Sequence, residues 1–250
     1  MIQALYSAAT AMAAQQTNID TIANNLANIN TVGFKSSRVD FADALYAQMA
    51  RTIQSQPNQL LGHGSVVAAL QRDWSGGTAI STEAPLDMMI DGEGYFTVAD
   101  GAGNRFYTRD GAFTVSEQGG TAYLTTGDGL YVLDSAGARI TLPNGTDGLT
   151  VDSAGVMRQN GAVLAQLGVT SFVNPSGLQS VGSNRFAATP AAGAQTQAAG
   201  EVLQGYQEGS NVDLAQEMAR LIRAQKAYSI LARAISTADQ MEATAAGIGR

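Results

Sequence analysis

The 250-residue chain contains no cysteine and only one histidine, His63. Without cysteine it can form neither disulfides nor thiolate zinc sites, and it has no cysteine nucleophile. A single histidine excludes a metal centre built from several histidines, and a Ser-His-Asp triad would have to use His63 itself. His63 lies between Gly62 and Gly64 and has no second histidine within metal-ligand spacing, so we expect a loop histidine rather than a ligand. We expect no metal, cofactor or catalytic site.

Charge is also scarce. Asp, Glu, Lys and Arg make up 14% of the chain, against about 25% in ordinary soluble domains. A surface with so few charges indicates extensive contact with other protein. The net charge of −7 argues against binding to nucleic acid. No apolar run is long enough for membrane insertion, and the first basic residue is Lys35, so we expect either a cytoplasmic protein or export without a cleaved signal.

The N-terminal segment, residues 1–34, has the heptad pattern of an assembly helix. Alternating steps of three and four residues meet seven apolar residues out of eight, at Ile2, Leu5, Ala9, Met12, Gln16, Ile19, Ala23 and Leu26. The other faces are mostly small or neutral, which indicates contact on more than one side, although a core helix of a globular domain would show the same seam. Asn28, Asn30 and Gly33 predict the end of the helix, with Phe34 folding back onto its last turn.

The C-terminal segment, residues 210–250, predicts a matching helix. Ser210 or Asn211 is the expected N-cap, and Glu217 with Arg220 is expected on a solvated face. Steps of four and three residues run through Leu214, Met218, Leu221, Gln225, Tyr228, Ala232, Ile235 and Asp239. Two heptad helices at opposite ends of a chain can pair only if the middle returns to its starting point. We therefore expect a compact insertion between two arms.

The insertion has the pattern of an antiparallel β domain. Short β-branched and aromatic runs in residues 86–188 are separated by hairpin-turn signals at Asp110-Gly111, Asp128-Gly129, Asn144-Gly145 and Asn160-Gly161. The expected fold class is α+β, in which the N- and C-terminal helices pair as a coiled coil and a central antiparallel β-rich domain is inserted between them.

Two further segments connect these parts. Residues 35–85 are expected to form a connecting region that is partly β, with a strand over Val66–Leu70. Within it, the apolar spacing predicts a short helical turn at Phe41, Leu45, Tyr46 and Met49. Residues 189–209 begin with a stretch of Ala, Gly, Gln, Thr and Pro, which predicts a linker and return segment.

The carboxylates of the β region leave an enzymatic alternative open. A glycosidase acting on cell-wall glycan could draw its two carboxylates from Asp91, Glu93, Asp100, Asp110 and Asp128. Most of these lie at turn positions, where Asp serves backbone geometry, so we expect no enzyme. An acidic group with a raised pKa opposite a second carboxylate in a cleft would favour the alternative.

Three motifs occur in a characteristic order along the chain. The first is Ala23-Asn24-Asn25-Leu26-Ala27-Asn28 followed by Gly33-Phe34-Lys35. The second is Tyr107-Thr108-Arg109-Asp110-Gly111-Ala112-Phe113, and the third is Glu208-Gly209-Ser210-Asn211-Val212. Together they closely resemble the bacterial flagellar rod and hook family, and the resemblance covers nearly the whole chain.

This resemblance implies a structural subunit of the flagellar basal-body rod, a tube that transmits torque through the cell envelope. It also implies export through the flagellar type III apparatus and a location in the basal body, within the periplasm where an outer membrane exists. Expected partners are copies of the chain in a helical tube, other rod subunits, hook subunits and the surrounding ring proteins. Chain length and the Gln15-Gln16 pair favour the distal rod over the proximal rod, which stays the alternative.

The terminal segments are therefore the expected assembly interface. Its predicted residues combine the heptad positions with the motif residues: Ile2, Leu5, Met12, Ile19, Ile22, Asn24, Asn25, Leu26, Asn28, Gly33, Phe34, Ser210, Asn211, Val212, Leu214, Met218, Leu221, Tyr228, Ile235 and Met241.

Overall fold

A computed structural model describes residues 2–44, 46–48, 60–62, 64–143 and 145–248. These residues form two compact units. The helical unit contains the described residues of 1–27, 37–73 and 213–250, and the β unit contains residues 28–36 and 74–212. Both units are discontinuous in sequence, because the chain leaves the helical unit after its first helix, returns for residues 37–73, and returns again at its C-terminal end.

The helical unit is built on two helices. Helix α1 spans Ile2–Ala27 and helix α2 spans Leu214–Ile248. The two helices pack against each other, and Asn25 near the end of α1 contacts Glu217 near the start of α2, so they run antiparallel. No helix within the described ranges is long and apolar enough to cross a membrane.

The start of α2 differs from the prediction. Asp213 is the N-cap, because its carboxylate accepts hydrogen bonds from the amides of Ala215 (2.9 Å) and Gln216 (3.1 Å). The hydroxyl of Ser210 instead accepts from the amide of Val212, and the side chain of Asn211 is engaged within the β unit. The predicted cap positions were therefore wrong, because both candidate side chains have partners before the helix begins.

The pairing of the terminal helices confirms the predicted fold class, but the buried face of α1 is not centred on the predicted heptad seam. Ala14, Ile22 and Asn25 are buried, whereas Ala9 and Ala23 are exposed. The buried residues of α1 are thus one small, one large apolar and one polar residue, and the larger apolar residues of the seam are only half-buried.

Four strands complete the helical unit. Strand β1 (Ser37–Asp43) pairs antiparallel with β4 (Ser65–Arg72), which confirms the strand predicted at Val66–Leu70. Strand β2 (Tyr46–Gln48) pairs with β3 (Leu60–Gly62). The predicted helical turn was wrong, since Phe41 lies in β1 and Tyr46 in β2; Leu45 and Met49 lie outside the described residues.

The β unit contains sixteen strands joined by antiparallel pairings. They are β5 (Ala79–Ser81), β6 (Met88–Asp91), β7 (Tyr95–Ala99), β8 (Arg105–Thr108), β9 (Phe113–Gln118), β10 (Thr121–Thr126), β11 (Tyr131–Val132), β12 (Leu149–Val151), β13 (Val156–Gln159), β14 (Ala162–Gln166), β15 (Val169–Phe172), β16 (Gln179–Gly182), β17 (Arg185–Ala187), β18 (Gln195–Gln197), β19 (Glu201–Gln204) and β20 (Tyr206–Glu208).

The largest sheet has nine strands, with the main order β16-β17-β8-β7-β11-β10-β9 and with β15 joining β7 to β18. Strands β12, β13 and β14 form a three-stranded sheet, while β19 pairs with β6 and β20 with β5. The main apolar core lies around Phe96, Leu124 and Met157, and a second, aromatic cluster contains Tyr95, Tyr107 and Phe186. The predicted antiparallel β character of the insertion is confirmed.

Four turns were predicted; two of them join paired strands, and Asn144 of the predicted turn Asn144-Gly145 lies outside the described residues. Asn160-Gly161 connects β13 to β14 with positive φ angles of 51° and 84°, and Asp128-Gly129 lies between β10 and β11. Asp110-Gly111 is not a hairpin, because β8 pairs with β7 and β17 whereas β9 pairs with β10. A Cβ on Gly111 would lie 1.7 Å from the carbonyl oxygen of Met88, so this glycine permits a close backbone approach instead.

Residues 189–209 contain more regular structure than a linker. They include a 3-10 turn at Pro190–Ala192 and strands β18, β19 and β20. All three residues of strand β18 are exposed and polar, yet its backbone pairs with β15. Composition does not reveal such a strand, because backbone hydrogen bonds rather than apolar side chains hold it in place.

Candidate assembly site

The predicted interface residues of α1 fall into three groups. Leu5, Met12, Ile19 and Leu26 are half-buried, so each keeps an accessible apolar surface. Ile22 and Asn25 are buried within the helical unit, and Asn24 is exposed. Ile2 lies in α1, but its side chain is outside the described set.

The predicted residues of α2 divide in a similar way. Leu221, Tyr228 and Ile235 are half-buried, whereas Leu214, Met218 and Met241 are exposed. Leu214, Met218 and the neighbouring Ile222 are spaced by four residues and therefore lie along one face of the helix. We call these three residues the outer stripe. They are 52%, 45% and 50% exposed, which is unusual for large apolar side chains in sequence along one helix face.

A small polar group holds the end of α1 to the start of β1. The side-chain amide of Asn25 donates to the carbonyl of Ser37 (2.8 Å), and its side-chain oxygen accepts from the amide of Ser37 (2.9 Å). Glu217 is buried beside it and pairs with Arg220 at 2.7 Å. The prediction of a solvated face was therefore wrong for Glu217, because Asn25 and Arg220 supply polar partners for a buried carboxylate.

A crevice of about 380 Å³ lies within the helical unit between α1, β1 and α2. It is lined mainly by polar side chains, including Gln15, Asn18, Thr21 and Arg223. Tight apolar packing is thus absent from this part of the described helix pair.

The motif residues next to the helices lie in the β unit, where the two chain connections run side by side. The amide of Gly33 donates to the carbonyl of Glu208 (2.7 Å), and the amide of Asn211 donates to the carbonyl of Phe34 (3.4 Å). The side-chain oxygen of Asn211 also accepts from the amide of Ser36 (2.7 Å). Gly33 and Phe34 are buried, while Asn28, Ser210, Asn211 and Val212 are half-buried.

A buried ion cluster holds these connections together. One carboxylate oxygen of Glu208 accepts from Lys35 Nζ at 2.5 Å and from the amide of Gly77 at 2.9 Å. The other oxygen lies 3.3 Å from Nη1 of Arg109. The side chains of Lys35, Arg109 and Glu208 are 1%, 5% and 1% exposed. We call these three residues the junction cluster.

Backbone carbonyls complete the cluster. Lys35 Nζ also donates to the carbonyl of Ser75 (2.6 Å), and the guanidinium of Arg109 donates to the carbonyls of Ile90 (3.1 Å) and Gly92 (2.7 Å). None of the three charged residues was predicted as a site residue. The available signal was their position within the three sequence motifs, but their proximity depends on long-range contacts that no local pattern reveals.

One feature named for the enzymatic alternative, an acidic group with a raised pKa, is present at Asp110. Burial raises the pKa of the Asp110 carboxyl, an amide hydrogen bond from Ala112 opposes that shift, and the nearby Asp128 and Asp87 add to it. A polar cleft of about 290 Å³ does exist in the β unit, but Asp110 is not among its lining residues. The only carboxylate in that lining is Asp134, which accepts from the amides of Ala136 and Ala138.

Comparison with known families returned three matches along the chain. The profile "Flagella basal body rod protein" matches residues 5–35, "Flagellar hook protein FlgE/F/G D1 domain" matches residues 89–159, and "Flagellar basal body rod FlgEFG protein C-terminal" matches residues 203–248. Each matched segment contains one member of the junction cluster.

Individual proteins match over nearly the full chain. A protein named "Flagellar basal-body rod protein FlgG" from Caulobacter vibrioides is 37% identical over 264 residues, covering 96% of this chain and 97% of that protein. Proteins of the same name from Borreliella burgdorferi and Agrobacterium fabrum are 36% and 37% identical. The Borreliella match covers 96% of both chains, and the Agrobacterium match covers 96% of this chain and 97% of its relative.

Proposed function

The chain belongs to the family of flagellar basal-body rod proteins, and from that membership we propose that it builds the distal part of the rod by packing its terminal helices against copies of itself. It is a structural subunit of the rod, located at the flagellar basal body in the cell envelope. The distal position is supported by the similarity to rod proteins named FlgG and by the Gln15-Gln16 pair.

The outer stripe is the observation that carries the proposed packing. Leu214, Met218 and Ile222 leave about half of their surface in water. Complete burial of such side chains is worth about 1.5–3 kcal/mol each, so the isolated subunit forgoes much of that stabilisation. A second copy that covers the stripe would recover it.

The half-buried seam of α1 supports the same interface from the other helix. Leu5, Met12, Ile19 and Leu26 present apolar surface beside the inward face of α1. Two different apolar strips on one subunit favour a contact in which one strip meets a different surface on the next copy. Such a heterologous contact continues into a helical tube when its rotation does not close a ring.

The other predicted residues receive different roles in this proposal. Asn25, Gly33 and Phe34 would act from within the subunit by shaping the parts that carry the interface, since their side chains or backbones are buried there. The further partners that we propose are other rod subunits, hook subunits, surrounding ring proteins and the flagellar type III export apparatus.

A substitution on the outer stripe tests the proposed packing. Ile222→Asp should abolish rods and motility, because a charge would be buried at a subunit contact, while the melting temperature of the purified subunit should change little. The matched control is Val173→Asp on the β unit, where the parent side chain is 75% exposed. Normal rods in electron micrographs of Ile222→Asp cells would contradict the proposed interface.

Gene deletion separates the distal from the proximal position. In the distal case, basal bodies isolated from the deletion strain should retain a short rod without a hook. Basal bodies lacking any rod would instead support the proximal alternative.

We also propose that the chain has no enzymatic role. The support is the cleft of the β unit, whose single lining carboxylate is engaged by backbone amides, whereas a glycosidase needs two carboxylates flanking the scissile bond. Incubation of purified subunit with cell-wall glycan should release no soluble fragments. If the parent protein released soluble fragments and the Asp110→Asn variant did not, this part of the proposal would be contradicted.

A further inference from the structure

We propose that Glu208 is a positioning residue: through Lys35 and Arg109 it fixes the alignment of the two chain connections that lead to the assembly helices. The N-terminal connection follows α1 and carries Lys35, and the C-terminal connection precedes α2 and carries Glu208. The inference rests on the proposed function for its biological meaning, but the alignment itself can be measured on the isolated subunit.

The geometry makes one carboxylate the shared acceptor for three separate segments. Lys35 comes from the N-terminal connection, Gly77 from the chain before β5, and Arg109 from the turn after β8. Lys35 and Gly77 both donate to one carboxylate oxygen of Glu208, and Arg109 donates to the other. The arrangement therefore specifies how all three segments lie relative to Glu208.

A slip of one residue would destroy this arrangement. If the N-terminal connection moved by one position, Phe34 or Ser36 would replace Lys35 beside the carboxylate, and neither can supply a cation. If the C-terminal connection moved, Gln207 or Gly209 would replace Glu208, and two buried cations would lose their carboxylate. Removing one partner of a buried ion pair is strongly unfavourable, so the cluster discriminates against shifted alignments.

Stability is a weaker explanation for such a cluster. Desolvation of buried charges offsets most of their mutual attraction, and replacing a whole buried pair with neutral side chains is often neutral or stabilising. The best-attested use of buried polar groups is to specify one alignment among several. For a rod subunit this has a direct consequence, because every copy must present its two helices to its neighbours in the same way.

A double variant separates alignment from stability. Lys35→Met with Glu208→Gln removes one charge of each sign and leaves an amide oxygen for Arg109 and Gly77. Because Arg109 loses its carboxylate but keeps the carbonyls of Ile90 and Gly92, the β unit should still fold, with a melting temperature lowered by about 5–15 °C. Because the chain has no cysteine, Asn30→Cys and Tyr206→Cys introduce unique spin-label sites, one on each connection, at exposed positions.

We expect one narrow label-to-label distance distribution in the parent and a broad or split distribution in the double variant. Rods per cell should fall at least about tenfold. The matched control neutralises the exposed pair of the helical unit, Arg38→Met with Asp40→Asn, and should leave the distance distribution narrow.

Two outcomes would overturn the inference: an unchanged narrow distribution in the double variant, or a β unit that fails to fold, since the cluster would then supply stability. Neither outcome depends on rod formation. Failure of the proposed function is recognised separately, by normal rods in Ile222→Asp cells.

Discussion

The amide nitrogen of Gly33 donates a hydrogen bond to the backbone carbonyl of Glu208 over 2.7 Å, which joins the N-terminal connection to the C-terminal connection inside the β unit. Gly33 has a left-handed φ of 67°, but helix α1 already ends at Ala27, so the prediction that Gly33 ends the helix was wrong and its conformation belongs to the connection that follows. It is also buried, and a Cβ at this position would lie 2.8 Å from the amide nitrogen of Asp110. Gly33 therefore combines a backbone requirement with a packing requirement.

Gly33→Ala should destabilise the β unit by about 2–4 kcal/mol, since the left-handed backbone costs about 1 kcal/mol or more and the collision with backbone adds about 1–3 kcal/mol. The melting temperature should fall by roughly 5–15 °C. Gly119→Ala is the matched control, because Gly119 has a φ of 62° but nothing within 4 Å of its Cβ position. An equal fall in melting temperature in the two variants would show that the close contact with the backbone around Asp110 does not add to the cost of the substitution.

Asn25→Ala should weaken the helical unit. The substitution leaves the amide and carbonyl of Ser37 without their side-chain partner, at a cost of about 2–4 kcal/mol for two part-buried groups. Thermal unfolding followed by far-ultraviolet circular dichroism measures the loss. Gln16→Ala, which removes an exposed hydrogen bond to Asp20 on the same helix, should stay within about 0.5 kcal/mol of the parent. A similar loss of stability from both changes would show that the Ser37 contact does not set the cost.

The two helices illustrate what local pattern can predict. The heptad periodicity identified both helices, because it depends only on the spacing of apolar residues along the chain. It did not identify the inward face of α1, where Ala14 and Asn25 are buried. These two residues are buried, together with Ile22, because β1 and α2 come close to α1, and that proximity is a property of the tertiary fold.

The junction cluster illustrates the limit more clearly. Lys35 and Glu208 are separated by 173 residues, and Arg109 and Glu208 by 99 residues. Each charge looks like an ordinary surface residue in its local sequence, so only the fold brings them together.

By contrast, three turns of the β unit share a short local signal, Asp-x-Ala-Gly, beginning at Asp100, Asp134 and Asp152. In each, the Asp carboxylate accepts from the amides two and four residues later, so this feature could have been predicted.

The raised pKa of Asp110 gives a pH-dependent prediction. Burial is its main cause, so the folded β unit binds the proton of this carboxyl more tightly than the unfolded chain does. At neutral pH the ionised Asp110 therefore lowers the free energy of unfolding. This loss of stability disappears as the pH falls to the ordinary carboxyl pKa of 3.8.

Asp110→Asn should accordingly melt at a higher temperature than the parent at pH 7, since the amide keeps an oxygen for the Ala112 amide and never ionises. The difference should be smaller near pH 3.8 than at pH 7. Glu201→Gln, at an exposed position of the same unit, serves as the control, and its melting temperature should stay close to that of the parent. A variant advantage that grows on acidification would contradict the assignment.

The two units should differ in local stability. In the described part of the helical unit the buried side chains are Ala14, Ile22, Asn25, Glu217 and Ala224, which are mostly small or polar. The β unit buries large apolar side chains throughout two clusters, including Phe96, Leu124 and Met157. Because local opening is easiest where few apolar contacts oppose it, the helices should open more often than the sheet in an isolated subunit.

Amide hydrogen exchange of the dilute monomer and of assembled rods tests this expectation. In the monomer, amides in α1 and α2 should exchange at least about a hundredfold faster than those of β7 and β8. In rods, the helical amides should become as slow as the sheet, because the outer stripe and the α1 seam are then covered by neighbouring copies. Equal protection of α1 and β7 in the monomer would show that the helix pair is already stable by itself, and assembly could not then be the step that stabilises it.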